Sequence, residues 1–182
     1  MTVYVALLRG INVSGHNIIK MADLRAMFES MGISPVQTYI QSGNVLFRSD
    51  DGPDELSVRI TARIAETFGL QVPVVLRTKE ELERVLRDCP YPTDGLAPGE
   101  SVYVALLADV PALEAAERLL AYRDETDELR LSGREVYILY RRSAHQSKLT
   151  NAWIEKRLGV AATTRNWQTT SKLAAMALAL EP

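Results

Sequence analysis

Polar and cationic side chains that could bind an anion are concentrated in three short stretches of this 182-residue sequence. The first stretch, residues 9–20, follows an apolar run and supplies guanidinium, amide and ammonium donors from Arg9, Asn12, Asn17 and Lys20. A loop that follows a strand and precedes a helix is well placed to bind an anion, because the first amide groups of the helix point toward it. We therefore predict an anion-binding loop here, and a surface loop without a ligand is the alternative.

The second stretch is TYIQSGNVLF, residues 38–47, in which Gln41 and Asn44 interrupt a strand-like run. Gly43 predicts a tight hairpin turn, because glycine readily adopts positive φ angles. A turn accounts for the small residues of this stretch but not for two amides. We therefore expect Gln41 and Asn44 to contribute to a ligand site.

The third stretch is TTRNWQTTSK, residues 163–172, which contains Arg165, Asn166 and Trp167. Arginine and tryptophan together can stack on a planar ligand, and an asparagine amide can fix the orientation of that ligand. The alternative is an ordinary helix start, with the tryptophan in the core and a threonine as the N-cap.

The composition narrows the class of protein. The only cysteine, Cys89, excludes an internal disulfide and favours a reducing compartment, so we predict a cytoplasmic location. No Cys/His cluster has the spacing of a metal site, and no motif predicts a cofactor. No apolar stretch is long enough to span a bilayer, and the sequence leaves the oligomeric state open.

The charge is unevenly distributed along the chain. The net charge is only −2, which argues against a general nucleic-acid binder. Residues 78–133 nevertheless carry 13 acidic and 6 basic side chains, whereas residues 134–182 carry 3 acidic and 8 basic ones. This asymmetry indicates either an anion-facing surface in the C-terminal part or an ordinary solvated face.

A repeated hexapeptide indicates an internal duplication. VYVALL occurs at residues 3–8 and again at 102–107, which are 99 residues apart. The dipeptides Ser42-Gly43 and Ser132-Gly133 also lie between strand-like runs, but they are 90 residues apart. The difference places about nine additional residues in the first half, within the loop at 9–20.

Each half predicts the order strand, helix, strand, strand, helix, strand, followed by one more helix. The first six elements have the order of a ferredoxin-like unit. We therefore predict an α+β protein of two tandem ferredoxin-like units, at 1–91 with the inserted loop 9–20 and at 100–182. Thr78 and Glu81 have the spacing of a capping box for the helix that ends the first unit.

The comparison of the two halves singles out the amides of the first hairpin. It aligns Gln41 with Leu131 and Asn44 with Arg134. Shared features serve the common fold, whereas unshared features are candidates for function. We predict that the inserted loop and the stretch at 163–172 meet in one cleft between the units.

The three stretches LRGINVSGHNIIKM, TYIQSGNVLF and TTRNWQT resemble the bacterial domain-of-unknown-function family 1697, and the resemblance covers almost the whole chain. The resemblance implies an α+β fold and brings no established activity. The family usually has two glycines where this chain has Ser14-Gly15, so an all-glycine phosphate loop is not implied. The signature residues that the resemblance implies are Arg9, Asn12, Gln41, Asn44, Arg165, Asn166 and Trp167.

Three kinds of function remain open. The one we favour is binding of a phosphate-bearing or otherwise anionic ligand, either a nucleotide or a nucleic-acid strand. An enzyme would use the same cationic cluster for electrostatic stabilisation, with His16 as the acid–base candidate, although no catalytic residue can be assigned. A protein-interaction module without chemistry would use the exposed edge of a sheet.

Overall fold

A computed structural model describes residues 1–181, which form two four-stranded sheets and six α-helices. The first half contains β1 (Thr2–Leu8), α1 (Met21–Ser30), β2 (Val36–Tyr39), β3 (Asn44–Ser49), α2 (Pro53–Phe68), β4 (Val74–Thr78) and α3 (Lys79–Arg87). The second half contains β5 (Ser101–Leu107), α4 (Leu113–Ala121), β6 (Glu128–Ser132), β7 (Glu135–Tyr140), a 3-10 turn (Ala144–Gln146), α5 (Asn151–Leu158), β8 (Ala162–Asn166) and α6 (Trp167–Ala179).

The two sheets have the same strand order. The first is β2-β3-β1-β4 and the second is β6-β7-β5-β8, and all neighbouring strands are antiparallel. Both copies of VYVALL lie in strands with a neighbour on each side, β1 and β5. Their interior residues are apolar without alternation because both faces of each strand are largely buried.

Local signals explain where the helices begin and end. α2 begins at Pro53, which lacks the amide hydrogen that a first-turn residue could not use, and it ends at Gly69 with φ of 68°. α3 begins with the predicted capping box, which is confirmed. The Glu81 amide donates to Thr78 Oγ1 at 3.2 Å, and the Thr78 amide donates to Glu81 Oε2 at 2.8 Å.

Each sheet packs its own helices on one face. In the first half, Phe28 of α1 contacts Phe47 of β3, with ring centroids 5.4 Å apart. Leu56, Ile60 and Ile64 of α2 join the same cluster. The second half has a corresponding cluster made by α4, α5 and the facing side of its sheet. Burial of these two apolar clusters is the main favourable contribution to the folding of each half.

Strand register corrects the alignment of the two hairpins. The first hairpin closes at Tyr39 and Asn44 around a four-residue turn, whereas the second closes at Ser132 and Glu135 around a two-residue turn. The position equivalent to Asn44 is therefore Glu135, not Arg134, because these two residues face the same position of VYVALL. The shared Ser-Gly dipeptide concealed this difference in turn length.

The connection between the first strand and the first helix is longer in the first half than in the second. Twelve residues, 9–20, separate β1 from α1, whereas only five, 108–112, separate β5 from α4.

Two compact units divide the chain differently from the repeat. Unit 1 comprises residues 1–83 together with the chain from residue 172 onward, and unit 2 comprises residues 84–171. The repeat ends the first half after α3 and the second half after α6. In the division into compact units, the last turn of α3 belongs to unit 2 and most of α6 belongs to unit 1.

Two tyrosines of unit 2 that have buried hydroxyl groups give a matched test of its internal hydrogen bonds. Tyr137 Oη donates to the Val85 carbonyl at 2.9 Å, whereas the buried hydroxyl of Tyr91 has no partner among residues 1–181. We expect Tyr137→Phe to lower the free energy of unfolding by about 1 kcal/mol or more, because it removes a buried bond. Tyr91→Phe should be neutral or stabilising in urea denaturation. A loss at Tyr91 as large as that at Tyr137 would contradict this assignment.

The buried hydroxyl of Tyr91 also affects the stability of the protein at high pH. Burial raises the pKa of Tyr91 to about 12. The unfolded phenol ionises near its ordinary value of about 10, so the folded state holds more protons above that pH and the free energy of unfolding falls as pH rises. Tyr91→Phe should reduce this fall in alkaline titrations followed at 295 nm and by circular dichroism.

Candidate functional site

The loop between β1 and α1 is a small hairpin of its own. The Asn12 amide donates to the Asn17 carbonyl at 3.1 Å, and Val13 and His16 form an isolated antiparallel bridge. The Asn17 Nδ2 donates to the Gly10 carbonyl at 3.0 Å. The tip between Val13 and Asn17 is exposed to solvent. The loop is therefore held in a defined shape although it extends into water.

The backbone of this loop is left-handed at five positions. Gly10 and Gly15 have φ of 69° and 78°, and Asn12, Ser14 and Asn17 have φ between 50° and 54°. Asparagine visits this region more readily than most residues, because its short amide can hydrogen-bond to nearby backbone. Left-handed residues persist where the surrounding structure enforces them, and they cluster at functional sites.

Asn12 joins the loop to the first hairpin. Its Nδ2 donates to the Ile19 carbonyl at 2.9 Å and to the Gln41 carbonyl at 2.7 Å, and its Oδ1 accepts from the Ile19 amide at 2.8 Å. The contact with Gln41 places the loop beside the turn of residues 40–43. We call these two segments, residues 9–20 and 40–43, the loop–hairpin surface.

Asn44 has a structural task within this surface. Its side chain is 0% exposed, and Nδ2 donates to the Tyr39 carbonyl at 2.9 Å and to Ser42 Oγ at 3.0 Å. These bonds close the four-residue turn from inside. The amides of Asn12, Asn17 and Asn44 thus shape the surface, whereas the side chain of Gln41 is exposed beside it. That any of these residues binds a ligand stays a prediction.

The loop–hairpin surface has no acidic residue. Neither residues 9–22 nor residues 30–49 contain an aspartate or glutamate. Lys20 is exposed at the N-cap position of α1, and no side chain caps that helix. Arg9 is half-buried, and its amide donates to the Pro73 carbonyl at 3.0 Å. The local charge is therefore positive on a chain whose net charge is −2.

The third predicted stretch spans the junction of β8 and α6, and all of it except Lys172 lies in unit 2. No loop separates the two elements, because Asn166 ends the strand and Trp167 begins the helix. Asn166 Oδ1 accepts from the Thr169 amide at 2.7 Å and so acts as the helix cap. Trp167 is half-buried. Convergence of this stretch with the loop–hairpin surface in one cleft stays a prediction.

Arg165 is buried in the second sheet rather than presented to solvent. It is 7% exposed, and its Nη1 donates to Thr163 Oγ1 at 2.6 Å and to the Thr164 carbonyl at 3.1 Å. Burial lowers the pKa of Arg165 to about 10, because removing water disfavours the charged form.

A second buried arginine, Arg77, was missed in the sequence. Arg77 is opposite Val5 in the first sheet, and Arg165 is opposite Val104 at the equivalent place in the second. Arg77 is 1% exposed and donates to the Leu76 carbonyl at 2.9 Å. The matched positions indicate a structural role that both sheets share. Aligning β4 with β8 by their pairing with the two VYVALL strands would have identified Arg77 as the counterpart of Arg165.

Two cavities of the described residues, one in each unit, are lined by none of the predicted ligand residues. A cavity of about 330 Å³ in unit 1 is lined by side chains of α1 and α2, including Arg59 and Arg63. A cavity of about 250 Å³ in unit 2 lies beside the start of β6. The loop–hairpin surface contributes no residue to either of these cavities.

The protein is thus an α+β protein with two four-stranded antiparallel sheets. A polar loop without acidic residues follows the first strand of the first sheet. The chain belongs to the family described as "Protein of unknown function (DUF1697)", whose model matches residues 1–137. The solved structure of a conserved bacterial protein from Streptococcus pneumoniae is similar, with a TM-score of 0.73 and 24% identity. That match covers 97% of this chain and 98% of the other, and it shows a shared fold. No curated protein matches the chain.

Within residues 1–181, no helix combines the length and apolar character needed to cross a membrane. The same residues hold no group of three or more His, Cys, Asp or Glu side chains arranged to bind a metal ion.

Proposed function

We propose that the loop–hairpin surface of unit 1 binds a phosphate-bearing or otherwise anionic ligand. The observation that carries this proposal is the 2.7 Å hydrogen bond from Asn12 to the Gln41 carbonyl, which joins two segments without acidic residues. Lys20 supplies a cation beside these segments. Left-handed backbone and inward-facing asparagines hold the loop in a fixed shape, which reduces the entropy that a ligand would have to overcome.

The exposed character of the surface favours a nucleic-acid strand over a single enclosed nucleotide. Small ligands prefer concave cavities that bury most of their surface, whereas residues 13–18 and 40–41 of this surface are exposed to solvent. A strand can instead contact an exposed cationic loop through successive phosphates. A cytoplasmic location, which the single cysteine favours, completes this proposal.

The proposal includes the origin of the fold. We infer that the halves are ferredoxin-like units that arose by duplication, with Arg9, Asn12, Asn17, Lys20, Gln41 and Asn44 added to one copy as its ligand site. Support comes from the matched strand orders and from the equivalent pairing of both VYVALL strands. Arg165, Asn166 and Trp167 remain candidates for a second part of the site.

Charge removal at Lys20 tests the proposal. We expect Lys20→Gln to weaken binding of inorganic pyrophosphate, and of a fluorescent single-stranded oligonucleotide, by about tenfold, because one charge-assisted hydrogen bond is lost. Calorimetry and fluorescence anisotropy measure the two affinities. The oligonucleotide affinity should also fall steeply with added salt, and with a smaller slope for the variant.

Lys148→Gln is the matched control, because Lys148 is also an exposed lysine shortly before a helix but belongs to unit 2. It should leave both affinities unchanged. Equal losses for the two variants would show that the binding reflects overall charge and not this surface.

A further inference from the structure

An isoleucine occupies a left-handed position of the backbone in the first hairpin turn. Ile40 has φ of 49°, whereas the other non-glycine residues with positive φ within residues 1–181 are Asn12, Ser14 and Asn17. A β-branched side chain is disfavoured in this region, which asparagine and glycine enter more readily. The side chain of Ile40 is nevertheless 46% exposed. Neither backbone preference nor burial therefore explains an isoleucine at this position.

Two more exposed aliphatic side chains lie on the loop–hairpin surface. Val13 is 56% exposed and Ile18 is 62% exposed. Val13 follows Asn12 in the chain. Ile18 and Ile40 each precede a residue whose carbonyl accepts a hydrogen bond from the Asn12 side chain. The bonds of Asn12 therefore hold these three residues close together, and we call Val13, Ile18 and Ile40 the aliphatic patch.

The surroundings of the aliphatic patch indicate an occupant that is both apolar and anionic. Residues 9–22 and 30–49 contain no acidic side chain, and the exposed Lys20 lies two residues after Ile18. An unpaired nucleic-acid strand has both properties, because its bases expose apolar faces and its backbone carries phosphates. A duplex stacks its bases inside and presents mainly phosphates and sugars. Aliphatic side chains against those phosphates would remove water from charged groups without replacing its hydrogen bonds.

We infer that the strand bound by the loop–hairpin surface is single-stranded, with unpaired bases packed against the aliphatic patch and phosphates toward Lys20. This inference rests on the proposed function of the same surface and specifies its ligand. Contact between aliphatic side chains and base faces removes apolar area of both from water. Strained backbone conformations are concentrated at functional sites, and base contact supplies a use for the isoleucine at residue 40.

Three fluorescent oligonucleotides of equal length test the inference by anisotropy with the full chain. They are single-stranded oligothymidylate, an abasic strand with the same phosphates, and a duplex of oligothymidylate with oligoadenylate. We expect oligothymidylate to bind at least about tenfold more tightly than the abasic strand, and also more tightly than the duplex at the same salt concentration. If pyrophosphate binds but the abasic strand or the duplex binds as tightly as oligothymidylate, the proposed function stands and this inference is overturned.

Ile40→Asn separates contact with a base from a role in the fold. Asparagine suits the left-handed backbone, so the variant should unfold at a higher urea concentration than the unaltered chain. Its affinity for oligothymidylate should nevertheless fall about fivefold, whereas its affinity for pyrophosphate should be unchanged because Lys20 is retained. Val58→Asn replaces an exposed valine of α2 and is the matched control, which should leave both affinities unchanged.

Two results with these variants would overturn the inference. Unchanged oligothymidylate affinity in Ile40→Asn would show that the side chain does not contact a base, and lower stability of this variant would show a structural role. The same anisotropy assay, with oligothymidylate displaced by competitors, tests other occupants of the aliphatic patch. Tighter binding of phosphatidylglycerol vesicles, or of a peptide of alternating glutamate and leucine, would contradict the assignment to a nucleic-acid strand.

Discussion

Gly43→Ala is expected to destabilise the protein by about 2 to 5 kcal/mol, the largest effect that we predict for a single methyl group. Gly43 is buried in the first hairpin turn with φ of 85°, a conformation that side chains disfavour. A Cβ atom there would lie 2.7 Å from Ile11 Cδ1 and 2.9 Å from Leu8 Cβ. The Gly43 carbonyl also accepts from the Leu8 amide at 2.8 Å, so the backbone cannot retreat freely.

Gly133→Ala in the second hairpin is the matched control. Its φ of 58° is also left-handed, but a Cβ there would meet only the Glu135 carboxylate at 3.9 Å. We expect a loss of about 1 to 2 kcal/mol, from backbone strain alone. Urea denaturation of both variants measures the difference. Equal losses would mean that the contact with Ile11 and Leu8 relaxes without cost and that the loop does not pack tightly on the turn.

Asn12→Ala is expected to lower the free energy of unfolding by about 2 to 4 kcal/mol and to loosen the loop. It removes the three hydrogen bonds that tie Asn12 to Ile19 and Gln41, each with a net value of about 0.5 to 1.5 kcal/mol. Alanine also tolerates the φ of 54° less well than asparagine. Hydrogen exchange should accelerate at the Ile19 amide, which loses its acceptor.

Asn17→Ala provides the comparison, because the side chain of Asn17 makes a single exposed hydrogen bond and its φ of 50° is similar. Its loss should be about 1 kcal/mol, with exchange at Ile19 little changed. If Asn12→Ala and Asn17→Ala behave alike, Asn12 does not anchor the loop to the hairpin, and the two segments do not form one surface.

Much of the fold could be predicted because the repeated hexapeptide and the periodic spacing of apolar residues indicate which residues are buried. The two VYVALL copies located β1 and β5, and the apolar stripe and the Pro53 and Gly69 signals located α2. The alignment of Asn44 with Arg134 was wrong, because the shared Ser-Gly dipeptide carries no information about the length of the turn. Only the pairing of Asn44 and Glu135 with β1 and β5 showed that one turn has four residues and the other two.

The sequence predicted that the loop and the first hairpin lie close together, but it did not predict the direction of their side chains. The sequence indicated the inserted loop and the amides at Gln41 and Asn44, and the structure places these segments side by side. It could not show that the amides of Asn12 and Asn44 bond inward, because that depends on backbone φ angles and burial. Burial of Arg165 was equally hidden, since the surrounding sequence is polar and β8 is an edge strand of the second sheet.

Amide chemical-shift mapping with inorganic pyrophosphate tests most directly whether the loop–hairpin surface binds anions. A titration of the isotopically labelled full chain compares every residue in one experiment. We expect the largest shifts at residues 10–22 and 40–44, and their loss in Lys20→Gln but not in Lys148→Gln. The absence of shifts, or shifts confined to unit 2, would contradict the proposed function.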